Sequence, residues 1–297
     1  ILRALGTEEL LERQKALRVA FVDPGGRCDV LDASALPGRL GIALGMWRLR
    51  GIRPASRLAG LRLALGIAAG RVTGKGRSCR ELLERHGQPP DIIERFWEPI
   101  VLATLNASLR DASAELLVAV MRLAFLGSRT DAQLLIPTAG LSALIEPFPA
   151  WLEARGGQVQ TSTSVDRLTP DPTSGRVRAT LSTGDTVEVD RVISAVPQRA
   201  LDRLLRASGI DHEFPDPPHM SPIVSVYLWY SVRWMPQDFT AALGTTVQWV
   251  FDKRRIRPGL VALTVSAGAD LVGRSSDEIV QTCDAELRSL FPAELSG

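Results

Sequence analysis

Asp190-Arg191-Val192-Ile193-Ser194-Ala195-Val196-Pro197 is the stretch on which the fold of this chain turns. Val192, Ile193, Ala195 and Val196 form an apolar, β-rich run, the pattern of a strand buried on both faces in a parallel sheet. Pro197 stops it, because proline has no N–H to give to a ladder. A helix through Leu201, Leu204 and Leu205 comes next. Upstream, Arg176 to Leu181 and Thr186 to Val189 flank Ser182-Thr183-Gly184-Asp185, turn chemistry that predicts a β-hairpin. Further upstream, a short helix over residues 149–154 is ended by Gly156-Gly157, and Gln158 to Thr161 reads as a strand. This order of helix, Gly-Gly, strand, hairpin and buried strand specifies an α/β region.

On its N-terminal side the chain reads as mainly helical to about residue 135. Thr7 is positioned to cap a short helix, and Ser78 with Glu81 forms a capping box closed by Gly87. Asp91 with Glu94 repeats that signature ahead of Phe96 and Trp97, and Pro99 bends or interrupts the segment. Leu116, Leu117, Val120, Met121, Ala124 and Phe125 recur at helical spacing. On the C-terminal side, Ile223 to Tyr230, Val247 to Phe251 and Leu260 to Ser266 read as strands. Ser275 with Glu278 then caps a helix carrying Ile279, Cys283, Leu287 and Leu290. The sequence divides into a helical region 1–135, an α/β region 136–210, and a sheet-and-helix region 211–297, with Asp211 to Pro218 as the linker. Ile1 to Gly6 reads as the last turn of a helix closed by glycine, so the chain is expected to be an interior piece of a longer protein.

A formal net charge of +2 argues against a nucleic-acid binder. Cys28, Cys79 and Cys283 lie far apart, which argues against a disulfide framework or zinc site and fits a reducing, cytoplasmic compartment. His86, His212 and His219 lack metal-ligand spacing, and each reads as a solvated loop residue. No apolar run is long enough to span a bilayer.

Gly156-Gly157-Gln158-Val159, Val165-Asp166-Arg167-Leu168 and Asp190 to Pro197 together resemble the middle of the flavin amine oxidases and phytoene-type desaturases. Trp97-Glu98-Pro99, Ala103-Thr104-Leu105-Asn106, Pro137-Thr138-Ala139-Gly140-Leu141-Ser142 and Ser221-Pro222-Ile223-Val224 narrow the likeness to the squalene-associated FAD-dependent group, the hydroxysqualene dehydroxylases. The resemblance implies the interior of a two-domain FAD-dependent fold, lacking the N-terminal Rossmann βαβ and the C-terminal FAD segment. It implies FAD as cofactor, with Val165, Ala195, Val196 and Pro197 on the dinucleotide and the Val165 contact made through its backbone. It implies a polyprenoid substrate, with reductive removal of the hydroxyl of hydroxysqualene to give squalene in hopanoid synthesis. A carotenoid-type desaturase or another flavin amine oxidase is the nearest alternative, and a flavin-free lipid-binding or scaffolding module the more distant one. The Gly-x-Gly-x-x-Gly turn that would hold the pyrophosphate is absent from the sequence. Gly66 to Gly70 and Gly70 to Gly76 do not replace it, because no strand precedes them.

Several residues carry two readings. Val165, Ala195, Val196 and Pro197 either meet the dinucleotide or are ordinary core and turn residues. Trp97 either lines the substrate cavity or packs its helix. Asn106 either orients a ligand or caps the turn before Asp111. Glu98 is the carboxylate best placed to donate a proton, although most glutamates in such positions are structural. Gly140 and Leu141 are expected beside the substrate. The cavity is expected as an elongated, mainly apolar groove between the helices and the strand of Val224, Val226 and Leu228, with Trp97 and Leu141 at its flavin end. Residues 46–72 interleave Arg48, Arg50, Arg53, Arg57, Arg62 and Arg71 with leucines. Such a segment either lies on anionic lipid, as peripheral contact with the inner face of the plasma membrane, or turns an arginine-decorated face to solvent.

Overall fold

The computed structural model describes residues 1–36, 38–126, 131–214, 220–231, 234–235 and 237–295. In chain order its helices are Leu2–Leu5 (α1), Gly38–Arg48 (α2), Pro54–Ala68 (α3), Cys79–Arg85 (α4), Pro90–Ile92 (α5), Glu98–Leu105 (α6), Ala114–Val120 (α7), Phe148–Glu153 (α8), Gln198–Ala207 (α9), Ser276–Leu290 (α10) and Pro292–Leu295 (α11). Its strands are Leu11–Arg13 (β1), Arg18–Val22 (β2), Cys28–Asp32 (β3), Leu135–Pro137 (β4), Val165–Pro170 (β5), Val177–Leu181 (β6), Thr186–Val189 (β7), Val224–Trp229 (β8), Phe239–Ala242 (β9), Trp249–Asp252 (β10) and Leu260–Val265 (β11). The chain forms two compact units, residues 1–145 with 221–297, and residues 146–220. The first and last regions marked in the sequence therefore build one body. Residues 215–218 of the expected linker, and His219, lie outside the described residues.

The larger unit is built on a six-stranded sheet of order β3-β2-β9-β10-β11-β8, in which β2 and β9 are parallel and all other neighbours antiparallel. Alternation along the strands sends side chains to two cores. On β9 and β10, Phe239, Ala241, Trp249 and Phe251 face the core shared with α3, α4 and α7, while Ala242 and Val250 face the core under α10. Cys283, Leu287 and Leu290 of α10, at spacings of four and three, pack there against Val261, Leu263 and Val265. The capping boxes at Ser78–Glu81 and Ser275–Glu278 both form.

The N-terminal region is not mainly helical throughout. Residues 18–32 form a hairpin, with Arg18 opposite Asp32 and Val22 opposite Cys28. Pro24-Gly25-Gly26 is a turn signal, but the apolar run before it is too short for periodicity to separate strand from helix. Asp23, at the turn, accepts bonds from Arg95 and Arg27. Burial works against its ionised form, yet the two guanidinium groups hold its carboxyl below the ordinary value.

Two expected caps are used otherwise. Thr7 donates its hydroxyl to the Leu144 carbonyl, and Asp91 accepts from the Arg53 backbone and the Ser56 hydroxyl. The helix ahead of Pro99 widens into a π-helical turn over Ile93–Trp97, consistent with a proline that has no N–H for the preceding turn.

In the smaller unit, β5, β6 and β7 form an antiparallel meander, and the hairpin at Gly184 (φ 89°) forms as expected. The Ser208 hydroxyl accepts from the Leu168 N–H, tying the end of α9 to β5. Two expected strands are corrected: residues 158–161 and 191–196 are irregular, and Ile193 is 94% exposed. A doubly buried strand exists only when neighbours supply both ladders, and no described strand pairs with either run. His212 is also corrected. Its ring packs on Phe214 and bonds both Asp202 and the Ile210 carbonyl, so it is not a freely solvated residue. No helix among the described residues is long and apolar enough to cross a membrane.

Candidate functional site

A cavity of about 490 Å³ lies in the larger unit between the C-terminal half of α6, the segment around β4, and the face of β9 and β10 that carries Phe239, Trp249 and Phe251. Its floor is aromatic: Phe239, Trp249 and Phe251 lie with ring centroids 6.1–6.4 Å apart. These rings share one face because residues 249 and 251 alternate past Val250, and Phe239 is the partner of Phe251 across the strand pair. A second apolar pocket of about 140 Å³, lined by Phe21, Phe96, Ile100 and Phe125, shares Ala103, Thr104, Leu134 and Trp249 with the first. Both are mainly apolar, and those four residues form the wall they share. The rim of the larger carries Lys253, 5.3 Å above the Phe251 ring, and Arg255, paired with Glu12. The aromatic floor was legible only as a strand pattern; which face it shows depends on strand pairing.

The expected residues fall around this groove unevenly. Asn106 is in its wall, but both ends of the amide are used: it donates to the Ser221 carbonyl and accepts from the Ala267 N–H, each at 2.8 Å. It also closes α6 in the left-handed region at φ 49°. Asn106 therefore fixes two loops beside the groove, and it does not cap the turn before Asp111. Asn106→Ala is expected to destabilise the larger unit by about 3 kcal/mol, from two lost hydrogen bonds and the strain of a left-handed alanine. Asn106→Gly should recover about 1 kcal/mol of that, and urea titration of both variants measures the difference.

Trp97 is absent from the walls of both pockets. It is fully buried, its Nε1–H donates to Gln88 Oε1 at 2.9 Å, and it meets Phe96 edge-on at 5.0 Å. The expected substrate contact is thus replaced by packing: the indole lies wholly in the core and its one donor is used by Gln88. Leu141 is 71% exposed and Gly140 is not buried, and neither lines the groove, although Pro137 and Thr138 do. The strand β8 contributes no wall either. Val226 pairs with Leu263 and faces the α10 core, leaving Ile223, just before the strand, at the groove.

Glu98 borders a different cavity, of about 500 Å³, with Glu94, Asp270, Glu286 and the turn at 243–246. Leu102, Trp249 and Ser266 border both this polar cavity and the apolar one. Burial pushes the Glu98 carboxyl above its ordinary value; Arg80 opposes the shift and Glu94 adds to it. A raised folded-state pKa means that stability is greatest while Glu98 is protonated and falls as pH rises through that pKa. Glu98→Gln should therefore melt above the wild type at neutral pH and level with it below the ordinary carboxylate range, as a pH series of melting curves would record.

In the smaller unit Val165 begins β5 opposite Leu181, with a bulge before Arg167. Val165 and Val196 are 39% and 50% exposed, and Ala195 and Pro197 are exposed as well. Among the described residues, no backbone hydrogen bond involves residues 191–196. Unpaired backbone N–H and C=O groups beside exposed apolar side chains are the donors, acceptors and surface that the edge and face of a purine require. The described residues hold no glycine-rich strand-turn-helix for a pyrophosphate, since Gly66 lies inside α3.

The family model described as flavin containing amine oxidoreductase matches residues 1–296. Hydroxysqualene dehydroxylase from Rhodopseudomonas palustris is 31% identical over 193 residues, 63% of this chain and 43% of that protein. The Sinorhizobium fredii protein of the same name is 29% identical over 195 residues, 64% of this chain and 44% of its own length. The chain thus spans less than half the length of the curated relatives it matches. Cyclohexylamine oxidase from Brevibacterium oxydans superposes with a TM-score of 0.62 over 98% of this chain and 67% of that structure, at 14% identity, a likeness of fold. With a family match that runs from the first residue to all but the last, and with the fold of a solved amine oxidase, the chain belongs to the flavin containing amine oxidoreductase family.

Proposed function

We propose that this chain is the substrate-binding part of an FAD-dependent oxidoreductase acting on a polyprenoid, and that the reaction is reductive dehydroxylation of hydroxysqualene to squalene. The apolar groove over Phe239, Trp249 and Phe251 is the observation that carries this reading. A C30 hydrocarbon has one polar group, so its affinity must come from buried apolar area, at about 25 cal/mol per Å². The groove meets that need, and its combined volume lies in the ordinary range for small-molecule sites, about 300–1,000 Å³. An amine would need an aromatic face free to receive its ammonium, and on this floor Lys253 already sets a cation over the Phe251 ring.

The bound flavin would supply the hydride that replaces the departing hydroxyl, with one proton taken up to release water. What this chain contributes is exclusion of water and alignment of the chain of isoprene units. Val165, Ala195, Val196 and Pro197 would hold the adenine end of the FAD by backbone and apolar contact. In this reading Glu98 remains a candidate proton donor. The desaturase alternative uses the same groove with the hydride moving the other way.

The test is titration of the chain with hydroxysqualene in mild detergent, monitored by tryptophan fluorescence. Saturable quenching that is lost in Trp249→Phe is the expected result. Absence of binding, or tighter binding of a short alkylamine, would overturn the polyprenoid assignment.

A further inference from the structure

Helices α2 and α3 bury glycines and a serine along with Met46, Leu63 and Ile67, and they also turn large apolar residues outward, where a surface helix ordinarily carries polar ones. In α2, Gly41 and Gly45 are pressed on the end of β3. A Cβ on Gly41 would collide with the carbonyl oxygens of Ala33 and Leu36, and one on Gly45 would lie 2.8 Å from that of Asp32. The opposite side presents Leu40, 65% exposed, the half-buried Leu44, and Trp47, spaced by four and three residues. In α3, Ser56, Gly60, Leu63 and Ile67 are buried, while Leu58 and Leu65 (43% and 69% exposed) face out with Arg62 between them. The Arg57 guanidinium lies 5.9 Å over the Trp47 ring, which sets the end of the α2 stripe beside the first turns of α3.

The charge that these helices themselves carry is of one sign, and the carboxylates beside them are Asp32 near Arg48, Asp29 at the Arg50 backbone and Asp91 at Arg53. Residues 33–80 contain ten lysines and arginines and no aspartate or glutamate, in a chain whose net charge is only +2. Arg53 is paired with Asp91. Arg39, Arg48, Arg50, Arg62 and Arg71 have no ion pair among the described residues.

We infer that the α2–α3 face docks on an anionic lipid surface, with Leu40, Trp47, Leu58 and Leu65 in the headgroup–acyl boundary and the surrounding arginines on lipid phosphates and carboxylates. Two features decide this occupant over others. A second copy of the chain would bring two faces of the same charge together. A nucleic acid would satisfy the arginines and leave the leucines in water, whereas a bilayer interface takes both at once. Docking of this kind depends on the α2–α3 face alone and is independent of the polyprenoid reading.

Flotation of the purified chain with vesicles tests it. Binding is expected to mixed phosphatidylserine–phosphatidylcholine vesicles, not to phosphatidylcholine alone, and is expected to fall as salt screens the surface. Arg48→Glu/Arg62→Glu should weaken it by about tenfold or more. Leu58→Ser/Leu65→Ser, which leaves every charge in place, should weaken it comparably, with the melting curve of each variant unchanged because all four side chains are exposed or at the surface. No partition into anionic vesicles would overturn the inference. So would binding that the leucine variant retains in full alongside equal affinity for heparin, the mark of a general polyanion surface. Self-association that the leucine variant abolishes, with no vesicle binding, would overturn it in favour of a dimer face.

Discussion

Trp97→Ala is expected to unfold the larger unit at markedly lower temperature, and to do so whether or not any ligand is present. The indole is fully buried and sits between α5 and α6 with Phe96 against its edge. Truncating a large core aromatic costs about 3–5 kcal/mol. A further cost of roughly 1–3 kcal/mol arises because Gln88, itself 6% exposed, loses the Nε1–H that satisfies its side-chain oxygen. The sum is comparable with the whole stability of many domains, about 5–15 kcal/mol. At roughly 2–4 °C per kcal/mol for a body of this size, the melting transition should drop by about 10 °C or more. Trp97→Phe keeps most of the packing and loses the hydrogen bond, so it should fall between the two. Calorimetry decides the matter. A Trp97→Ala protein that melts like the wild type but binds hydroxysqualene poorly would return this residue to the substrate site.

Ala103→Phe should have the opposite profile, an intact fold and a blocked groove. Ala103 is exposed on α6 and lies in the walls of both apolar pockets, at their junction. A phenyl ring in place of the Ala103 methyl fills space at the wall that the two pockets share. Denying a long ligand about 100 Å² of apolar wall removes roughly 2.5 kcal/mol, about a 70-fold loss of affinity. A ligand short enough to occupy one pocket should lose little. Titration of the variant with C30 and C10 isoprenoid alcohols compares the two directly. Equal loss for both would show that the ligand does not run through the junction, and undiminished C30 binding would place it elsewhere.

The candidate site was legible in the sequence to the extent that its residue types declare themselves locally. Asn106 stands out as a polar residue among apolar neighbours, and it does stand in the groove wall, with both amide ends committed to loops 115 and 161 residues away in sequence. Those partners have no local signature. Trp97 and Leu141 were misplaced for a related reason: a large apolar side chain follows the same spacing whether it enters a core or lines a cavity. Burial against Gln88 and Phe96 decides the first case, and the exposed position of Leu141 the second.

The sequence by itself determined the elements whose signals are local and chemically specific. The two capping boxes, the hairpin at Ser182 to Asp185 and the apolar spacing of α10 all arise from side chains within a few residues of one another. It also determined the one-signed charge of residues 33–80. Tertiary structure alone decided the rest. Strand pairing put Phe239, Trp249 and Phe251 on one face, and close approach to β3 turned the glycines of α2 inward and its leucine and tryptophan outward. Pairing also decided that Arg191 to Val196, as good a strand as any by composition, stays irregular. A buried strand is a property of its neighbours' hydrogen bonds, and no described neighbour offers them here.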